Sequence, residues 1–168
     1  MRYIGAAALS CAALLISVWL NARRKRRGAL LGRLADFFTA FGAYTELSPL
    51  DVAAAARRLA RNGGFGQLGF LPPFADRCDG ADVRRVWREE TASFSDASLL
   101  TAEERELLEG FADRFGLTSL AAFTEACRQY AALFAGFREK DRREREKNGS
   151  LLLGAGALAA ALLLIVFW

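Results

Sequence analysis

The side chains of this chain that could do chemistry form no complete catalytic set. The 168 residues include no histidine, the side chain most often used as a general base at neutral pH and as a metal ligand. The three cysteines, Cys11, Cys78 and Cys127, are scattered and form no Cys-x-x-Cys pair. The glutamates at 89–90 and 103–104 are adjacent, and neighbours in a helix do not share a face. The sequence therefore predicts a protein that is not an enzyme and carries no cofactor and no metal.

A glycine cluster at residues 63–69, GGFGQLG, has the composition of a phosphate-binding loop. Such a loop continues into Lys-Ser or Lys-Thr and follows a strand. Neither feature is present or predicted here. A plain connecting loop is therefore the favoured interpretation, with a phosphate site as the alternative.

Three aspartates, Asp76, Asp79 and Asp82, bring to mind a calcium-binding loop. Calcium loops place their first ligands two residues apart and end on a glutamate at the twelfth position. The aspartates here are three residues apart, and Trp87 stands at the twelfth position. We therefore favour capping and surface roles for these carboxylates.

Five consecutive cations, Arg23, Arg24, Lys25, Arg26 and Arg27, form the strongest charge feature of the chain. They directly follow an uncharged segment, and positive residues beside a membrane span stay on the cytoplasmic side. We interpret them as a membrane-proximal topology signal. The alternative is a membrane-attached binder of nucleic acid or anionic lipid, whose binding would fall steeply with salt. The balance of 23 basic against 19 acidic residues disfavours nucleic acid.

Both ends of the chain are uncharged and apolar. Tyr3–Leu20 and Leu151–Trp168 each hold 18 residues, enough for a helix of roughly 27 Å against a hydrocarbon core of roughly 30 Å. A cleaved signal peptide is the alternative for the first segment, but its main cationic cluster comes after the apolar stretch. A buried core helix is the alternative for the second segment, which lacks a polar face. We predict transmembrane helices within residues 1–22 and 148–168.

The middle of the chain, residues 23–147, predicts an all-α domain: a bundle of about six helices flanked by the two transmembrane helices. A first bundle helix over residues 30–47 has a core-facing stripe with 4-3-4-3 spacing. The stripe consists of Leu30, Leu34, Phe37, Phe41 and Tyr44. A second helix starts at Ser48-Pro49, with Asp51 in its first turn, and ends near Asn62.

The later helices have their own start signals. Asp79 is predicted as an N-cap with Asp82 at the third position, and Thr101 with Glu104 forms a capping box. The last helix carries apolar residues at heptad spacing. These are Leu120, Phe123, Cys127, Tyr130, Phe134 and Phe137. No proline follows Thr118, so this helix could continue into the C-terminal apolar segment.

Two further features are candidate partner contacts. Arg57, Arg58 and Arg61 make a modest basic patch on the second helix, for which a solvated helix face is the favoured interpretation and partner binding is the alternative. For Trp87 a core position beside Val83 and Val86 is the favoured interpretation, and a partner anchor is the alternative.

The order of these features is similar to the stage III sporulation protein AB family of endospore-forming bacteria. The most specific matching pieces are SPLDVAAAARRLA from Ser48, VRRVWREE around Trp87, and the LT..E...L..F...FG pattern over residues 100–116. The family usually has an acidic residue where this chain has residues 41–43, Phe-Gly-Ala. Its Leu-Gly-x-x-Asp motif and the following Gln are replaced by residues 115–119, Phe-Gly-Leu-Thr-Ser.

The resemblance implies a subunit of a secretion-like channel complex in the mother-cell membrane, facing the forespore. It implies a helical cytoplasmic domain similar to that of the type II secretion platform protein. The expected partners are the cytoplasmic ATPase of the complex, stage III sporulation protein AA, and the other membrane subunits. No nucleic acid and no small-molecule substrate are expected. The expected protein is a non-enzymatic scaffold with two membrane spans and its bundle in the cytoplasm.

Overall fold

The computed structural model describes the backbone of residues 2–47, 52–79, 82–117 and 119–166, and the side chains within 18–45, 52–79, 82–117 and 119–147. In these ranges the chain is helical and contains no strand, which confirms the all-α prediction. The described residues form six α-helices and two 3₁₀ turns. The α-helices are α1 Arg2–Leu47, α2 Val52–Arg61, α3 Leu71–Arg77, α4 Val83–Ser93, α5 Ala102–Gly110 and α6 Leu120–Val166, and the 3₁₀ turns are Ala97–Leu99 and Phe111–Gly116.

The two terminal helices are much longer than the four between them. The prediction of a separate bundle helix beginning near Leu30 is wrong, because α1 is one continuous helix from Arg2 to Leu47. The connecting residues 21–29 are mostly Ala, Arg and Lys, which are strong helix formers, and Gly28 alone does not break the helix. The α6 helix runs unbroken from Leu120 to Val166, as the lack of proline predicted.

In the part of the chain whose side chains are described, no helix has a stretch long and apolar enough to cross a membrane. The predicted spans Tyr3–Leu20 and Leu151–Trp168 lie outside that part, apart from Val18–Leu20. Both spans therefore stay predictions. The domain boundaries predicted after residues 22 and 147 fall inside α1 and α6 and also stay predictions.

Helices α1 and α6 pair antiparallel along the bundle. Gly28 lies against Arg145 near one end, and Gly42 lies against Cys127 near the other. A β-carbon built on Gly42 would lie 3.1 Å from the Cβ of Cys127, so the helices approach closely there. The predicted α1 stripe faces the core: Leu30, Leu34, Phe37 and Phe41 are buried, and Tyr44 is partly buried.

The heptad prediction for α6 is also largely confirmed. Phe123, Cys127, Tyr130 and Phe134 are buried, and Phe137 packs against the core while partly exposed. Leu120 is exposed because it is the first residue of the helix, at the edge of the bundle.

Trp87 on α4 lies at the centre of the core. Its indole is fully buried, and the indole Nε1–H donates a 2.8 Å hydrogen bond to the carbonyl oxygen of Leu108. Several phenylalanine rings surround it. These are Phe37, Phe38, Phe70, Phe74, Phe111 and Phe115. Trp87 therefore packs the core, as the favoured interpretation predicted, and its side chain leaves no exposed surface for the alternative role of partner anchor.

The helix caps follow the sequence in part. Thr101 and Glu104 form the predicted capping box at the start of α5. The N-cap of α4 is Asp82, whose carboxylate accepts from the Arg84 N–H at 3.1 Å, so the assignment of Asp79 as the cap is wrong. Helix α4 begins only at Val83, which puts Asp82 at the capping position. The predicted cap over Ser48–Asp51 lies outside the described residues.

Residues 62–70 between α2 and α3 form successive turns, as the plain-loop interpretation predicted. The Asn62 carbonyl oxygen accepts from the N–H groups of Phe65 and Gly66, both at 2.9 Å. A β-carbon on Gly66 would lie 2.7 Å from the Ala60 carbonyl oxygen. Position 66 therefore requires glycine, because the β-carbon of any other residue would collide with the backbone at Ala60.

Candidate functional site at the helix exit

A polar cluster lies at the end of the bundle where α1 and α6 continue toward the chain termini. We call it the helix-exit cluster and define it as Arg27, Leu99, Glu104, Asp141 and Arg145. The Arg27 guanidinium donates two hydrogen bonds to the Glu104 carboxylate, with Nη2–Oε1 at 2.7 Å and Nη1–Oε2 at 3.0 Å. Arg27 also donates to the Leu99 carbonyl oxygen at 2.6 Å and to Asp141 Oδ1 at 3.2 Å. One side chain of α1 thereby joins α5, α6 and the 3₁₀ turn before α5.

The cluster is shielded from water. Glu104 is 2% exposed, Asp141 is 12% exposed and Arg27 is 23% exposed. A carboxylate this buried needs a charged partner and hydrogen bonds, because burying an unpaired charge is very unfavourable. Glu104 meets that need with Arg27 and with the Thr101 N–H, which donates to Oε2 at 2.7 Å. The same glutamate therefore caps α5 and binds α1.

Arg145 extends the cluster along α6. Its Nη2 lies 2.6 Å from Asp141 Oδ2, so Asp141 is paired with cations on both helices. The Arg145 guanidinium rests on α1 at Gly28, where a β-carbon would lie only 2.1 Å from Nη2. A larger residue at position 28 would therefore displace this guanidinium.

The five cations predicted as a topology signal do not have equivalent positions. Arg27 belongs to the helix-exit cluster, and Arg23 donates to the Ser98 carbonyl oxygen at 3.1 Å while lying over the ring of Trp19. Arg24, Lys25 and Arg26 are exposed. The structure thus divides a run that looked uniform in the sequence. Nothing in the structure tests the topology role itself.

The basic patch of α2 lies on a different element from the helix-exit cluster. Arg57 pairs with Asp79 at 2.7 Å, and the Arg58 guanidinium lies over the ring of Tyr44, 5.2 Å from its centroid. Arg61 is exposed at the end of the helix. The partner-binding hypothesis for these arginines stays a prediction.

The helix-exit cluster was missed by the sequence analysis, although the helical period contained a signal for it. Asp141 follows Phe137 by four residues, so it continues the heptad positions of α6 with a charge in place of an apolar side chain. Arg27 precedes Leu34 by seven residues and likewise occupies the core-facing stripe of α1. A charged residue at a core-facing position predicts a buried ion pair.

A second set of ion pairs covers the exposed face of α6. Glu139 accepts from Arg142 and Arg143, and these hydrogen bonds lower the pKa of the Glu139 carboxyl to about 2. These groups are solvated, so the pairs add little to stability.

The described side chains of the helix-exit cluster offer charge pairing and no nucleophile, and their arrangement fixes the relative positions of three helices.

The sequence as a whole matches one known family. No curated protein and no solved structure matches the chain significantly. The family model described as stage III sporulation protein AB matches residues 2–168. That range covers essentially the whole chain, including both long helices and the bundle between them. The chain therefore belongs to the stage III sporulation protein AB family, which takes part in sporulation.

Proposed function

We propose that the protein is a non-enzymatic, membrane-anchored structural subunit of the sporulation channel complex. In this role its bundle couples the cytoplasmic ATPase, stage III sporulation protein AA, to the membrane components. The observation that carries the proposal is the antiparallel pairing of α1 and α6, which sends both terminal segments away from the same end of the bundle.

The pairing would also set the two uncharged segments at a similar level. Gly42 meets Cys127, Gly32 meets Arg138, and Gly28 meets Arg145, so α6 ascends as α1 descends. Extrapolated from these three contacts, Leu20 would lie level with residues 149–153, near the start of the second uncharged segment. The apolar segments then begin together, as two spans of a single hairpin in one membrane would require.

The helix-exit cluster gives this hairpin a firm connection to the bundle. A continuous helix transmits displacement along its axis, and Arg27 ties the first such helix to α5 and α6 just before the apolar segments begin. A push on the bundle would therefore move both anchors together. The ATPase would supply that push from the cytoplasmic side of the mother-cell membrane that faces the forespore.

The alternative role, binding of nucleic acid through the basic segment, has weaker support. Two of its five cations, Arg23 and Arg27, are held by groups of the protein itself. Arg24, Lys25 and Arg26 extend into solvent without such a contact in the described residues, and three charges give a small electrostatic contribution to nucleic-acid binding.

Co-purification from sporulating cells tests the proposed function. The full chain with an epitope tag, extracted in mild detergent, should bring down the ATPase together with other membrane subunits. The variant Arg27→Met should weaken the recovery of the complex, whereas the matched control Arg24→Met, at an exposed position, should leave it unchanged. If the wild-type chain is recovered alone, the role is wrong.

Topology is tested separately by labelling. A cysteine introduced at exposed Arg128 should react with a membrane-impermeant thiol reagent only after the cells are permeabilised. Labelling in intact cells would place the bundle outside the cytoplasm and overturn the proposed arrangement.

A further inference from the structure

An open cleft lies between α1 and the connection from α4 to α5, at the end of the bundle where α1 meets the first apolar segment. We call it the interface cleft. It has a volume of about 590 Å³ and is bordered by Trp19, Arg23 and Arg26 of α1 and by Ser95, Asp96 and Ser98 of the connection. The helix-exit cluster lies beside it but shares none of these six side chains.

One end of the cleft lies at the level where the apolar segment ends. Trp19 belongs to the uncharged run Tyr3–Leu20, and Arg23 lies three residues beyond Leu20, about 4.5 Å along the helix. The Arg23 guanidinium carbon lies 5.6 Å from the centroid of the Trp19 ring, and its Nη2 donates to the Ser98 carbonyl oxygen at 3.1 Å. These contacts place the guanidinium and Ser98 beside Trp19, within reach of a lipid headgroup region roughly 5–7 Å thick.

The two arginines of the cleft can act on one ligand. Arg23 and Arg26 are one helical turn apart, with about 5–6 Å between their β-carbons. Side chains of a helix lean toward its N-terminus, which here is the direction of the apolar segment. The hydrogen bond to Ser98 occupies one of the five N–H donors of the Arg23 guanidinium. Both guanidiniums can therefore donate to the oxygens of one phosphate.

The cleft also carries a carboxylate. Asp96 precedes the 3₁₀ turn Ala97–Leu99, but its side chain does not cap that turn. Within the described residues, Asp96 and Arg26 form no ion pair with each other or with any other group. The cleft therefore presents charges of both signs that the protein itself leaves without a partner, and a ligand with both signs would complement it.

We infer that the interface cleft binds the headgroup of phosphatidylethanolamine. This inference rests on the proposed membrane anchoring. The phosphate pairs with Arg23 and Arg26, and the primary ammonium donates to the Asp96 carboxylate, so each charge of the zwitterion meets an opposite charge. The acyl chains continue along Val18 and Trp19, which are 68% and 59% exposed where α1 meets the apolar segment.

The charge pattern distinguishes this lipid from other phospholipids. A primary ammonium has three N–H donors for a carboxylate, as a lysine side chain has. The trimethylammonium group of phosphatidylcholine has none. Phosphatidylglycerol carries no cation, so its phosphate would add a second negative charge near an unpaired Asp96. The cleft should therefore prefer phosphatidylethanolamine to both.

Native mass spectrometry of the full chain in detergent, supplied with equal amounts of the three lipids, tests the inference. The wild type should retain phosphatidylethanolamine about five-fold over each of the others. Asp96→Asn should lose this preference, because an amide carries no charge to pair with the ammonium. Arg26→Gln should weaken the retention of all three lipids, because each of them has the phosphate.

Matched controls change the same residue types outside the cleft. Asp76→Asn removes an exposed carboxylate of α3, and Arg24→Gln removes an exposed cation of α1. Both should keep the wild-type retention and preference. An equal loss in a control and in the corresponding cleft variant would indicate only general surface charge and would overturn the inference.

Two further results would also overturn it. Equal retention of the three lipids by the wild type, or an unchanged preference in Asp96→Asn, would contradict the pairing of Asp96 with the ammonium. Displacement of the lipid by millimolar glycerophosphoethanolamine, the same headgroup without acyl chains, would indicate a soluble ligand.

Alkaline extraction of vesicles that contain the three lipids separates this inference from the proposed function. A chain that is washed off the vesicles defeats both. A chain that is retained by the vesicles but shows no preference for phosphatidylethanolamine defeats only the role of the interface cleft.

Discussion

Arg27 and Glu104 form a two-point ion pair although 77 residues separate them in the sequence. The pair joins the first helix of the chain to α5 at the place where α1 and α6 leave the bundle. Glu104 is almost fully buried, so its charge depends on Arg27 for compensation. The stability of the bundle and the position of its two long helices are therefore set by the same contact.

Arg27→Met should destabilise the protein by about 3 kcal/mol, because it leaves the Glu104 carboxylate buried without its cation. The free energy of unfolding is measured for the full chain in detergent by chemical denaturation, with tryptophan fluorescence as the readout. Arg24→Met removes an exposed neighbouring charge and should change the free energy of unfolding by less than about 0.5 kcal/mol. The double variant Arg27→Met/Glu104→Gln should recover much of the loss, since its amide can still accept from the Thr101 N–H. A double variant no more stable than Arg27→Met would contradict the ion-pair explanation.

Trp87→Phe should lower the free energy of unfolding by about 2 kcal/mol. The smaller ring leaves space among the surrounding phenylalanines and removes the hydrogen bond to the Leu108 carbonyl oxygen. Trp19→Phe is the matched control, because Trp19 is 59% exposed. Thermal unfolding of both variants by circular dichroism checks the difference. Equal melting temperatures would show that the indole is not essential to the core.

How far the sequence predicts this fold depends on which signal each element carries. The periodic stripes of α1 and α6 and the capping box at Thr101 were found, because local spacing encodes them. The continuity of α1 was missed, because the basic run suggested a boundary where the helix in fact continues. The helix-exit cluster was missed for a different reason: Arg27, Glu104 and Asp141 meet only through tertiary packing, which local patterns do not encode. The N-cap of α4 was predicted at Asp79 and lies at Asp82, because sequence patterns locate helix ends only to within a few residues.

Glycine-to-alanine exchange at two positions should have opposite effects. Gly136→Ala should stabilise the protein by about 0.5–1 kcal/mol, because alanine is the better helix former and a β-carbon there meets nothing within 4 Å. Gly42→Ala gains the same propensity but presses on Cys127 at 3.1 Å, and overpacking costs about 1–3 kcal/mol. Denaturant titration should rank Gly136→Ala above the wild type and Gly42→Ala below it. A gain at both positions would mean that α1 and α6 pack less tightly than described.

Cys127 should be protected from thiol reagents and should make the protein sensitive to alkali. Burial against α1 raises the pKa of its thiol to about 12, so the folded state holds the proton where an unfolded cysteine, with a pKa near 9, loses it. Its contribution to stability is therefore complete below about pH 9 and is lost as the pH rises toward about 12. In Cys127→Ala this part of the loss of stability at alkaline pH should be absent.

Iodoacetamide at pH 8.5, followed by peptide mass spectrometry, measures the protection directly, because only the thiolate reacts. Cys127 should react at least 100-fold more slowly than a cysteine placed at exposed Ser119, one turn before the first buried residue of α6. Denaturant should remove the difference, since both thiols are then solvated. Comparable rates in the folded protein would show that the contact between Gly42 and Cys127 opens readily, and the close pairing of the two long helices would have to be abandoned.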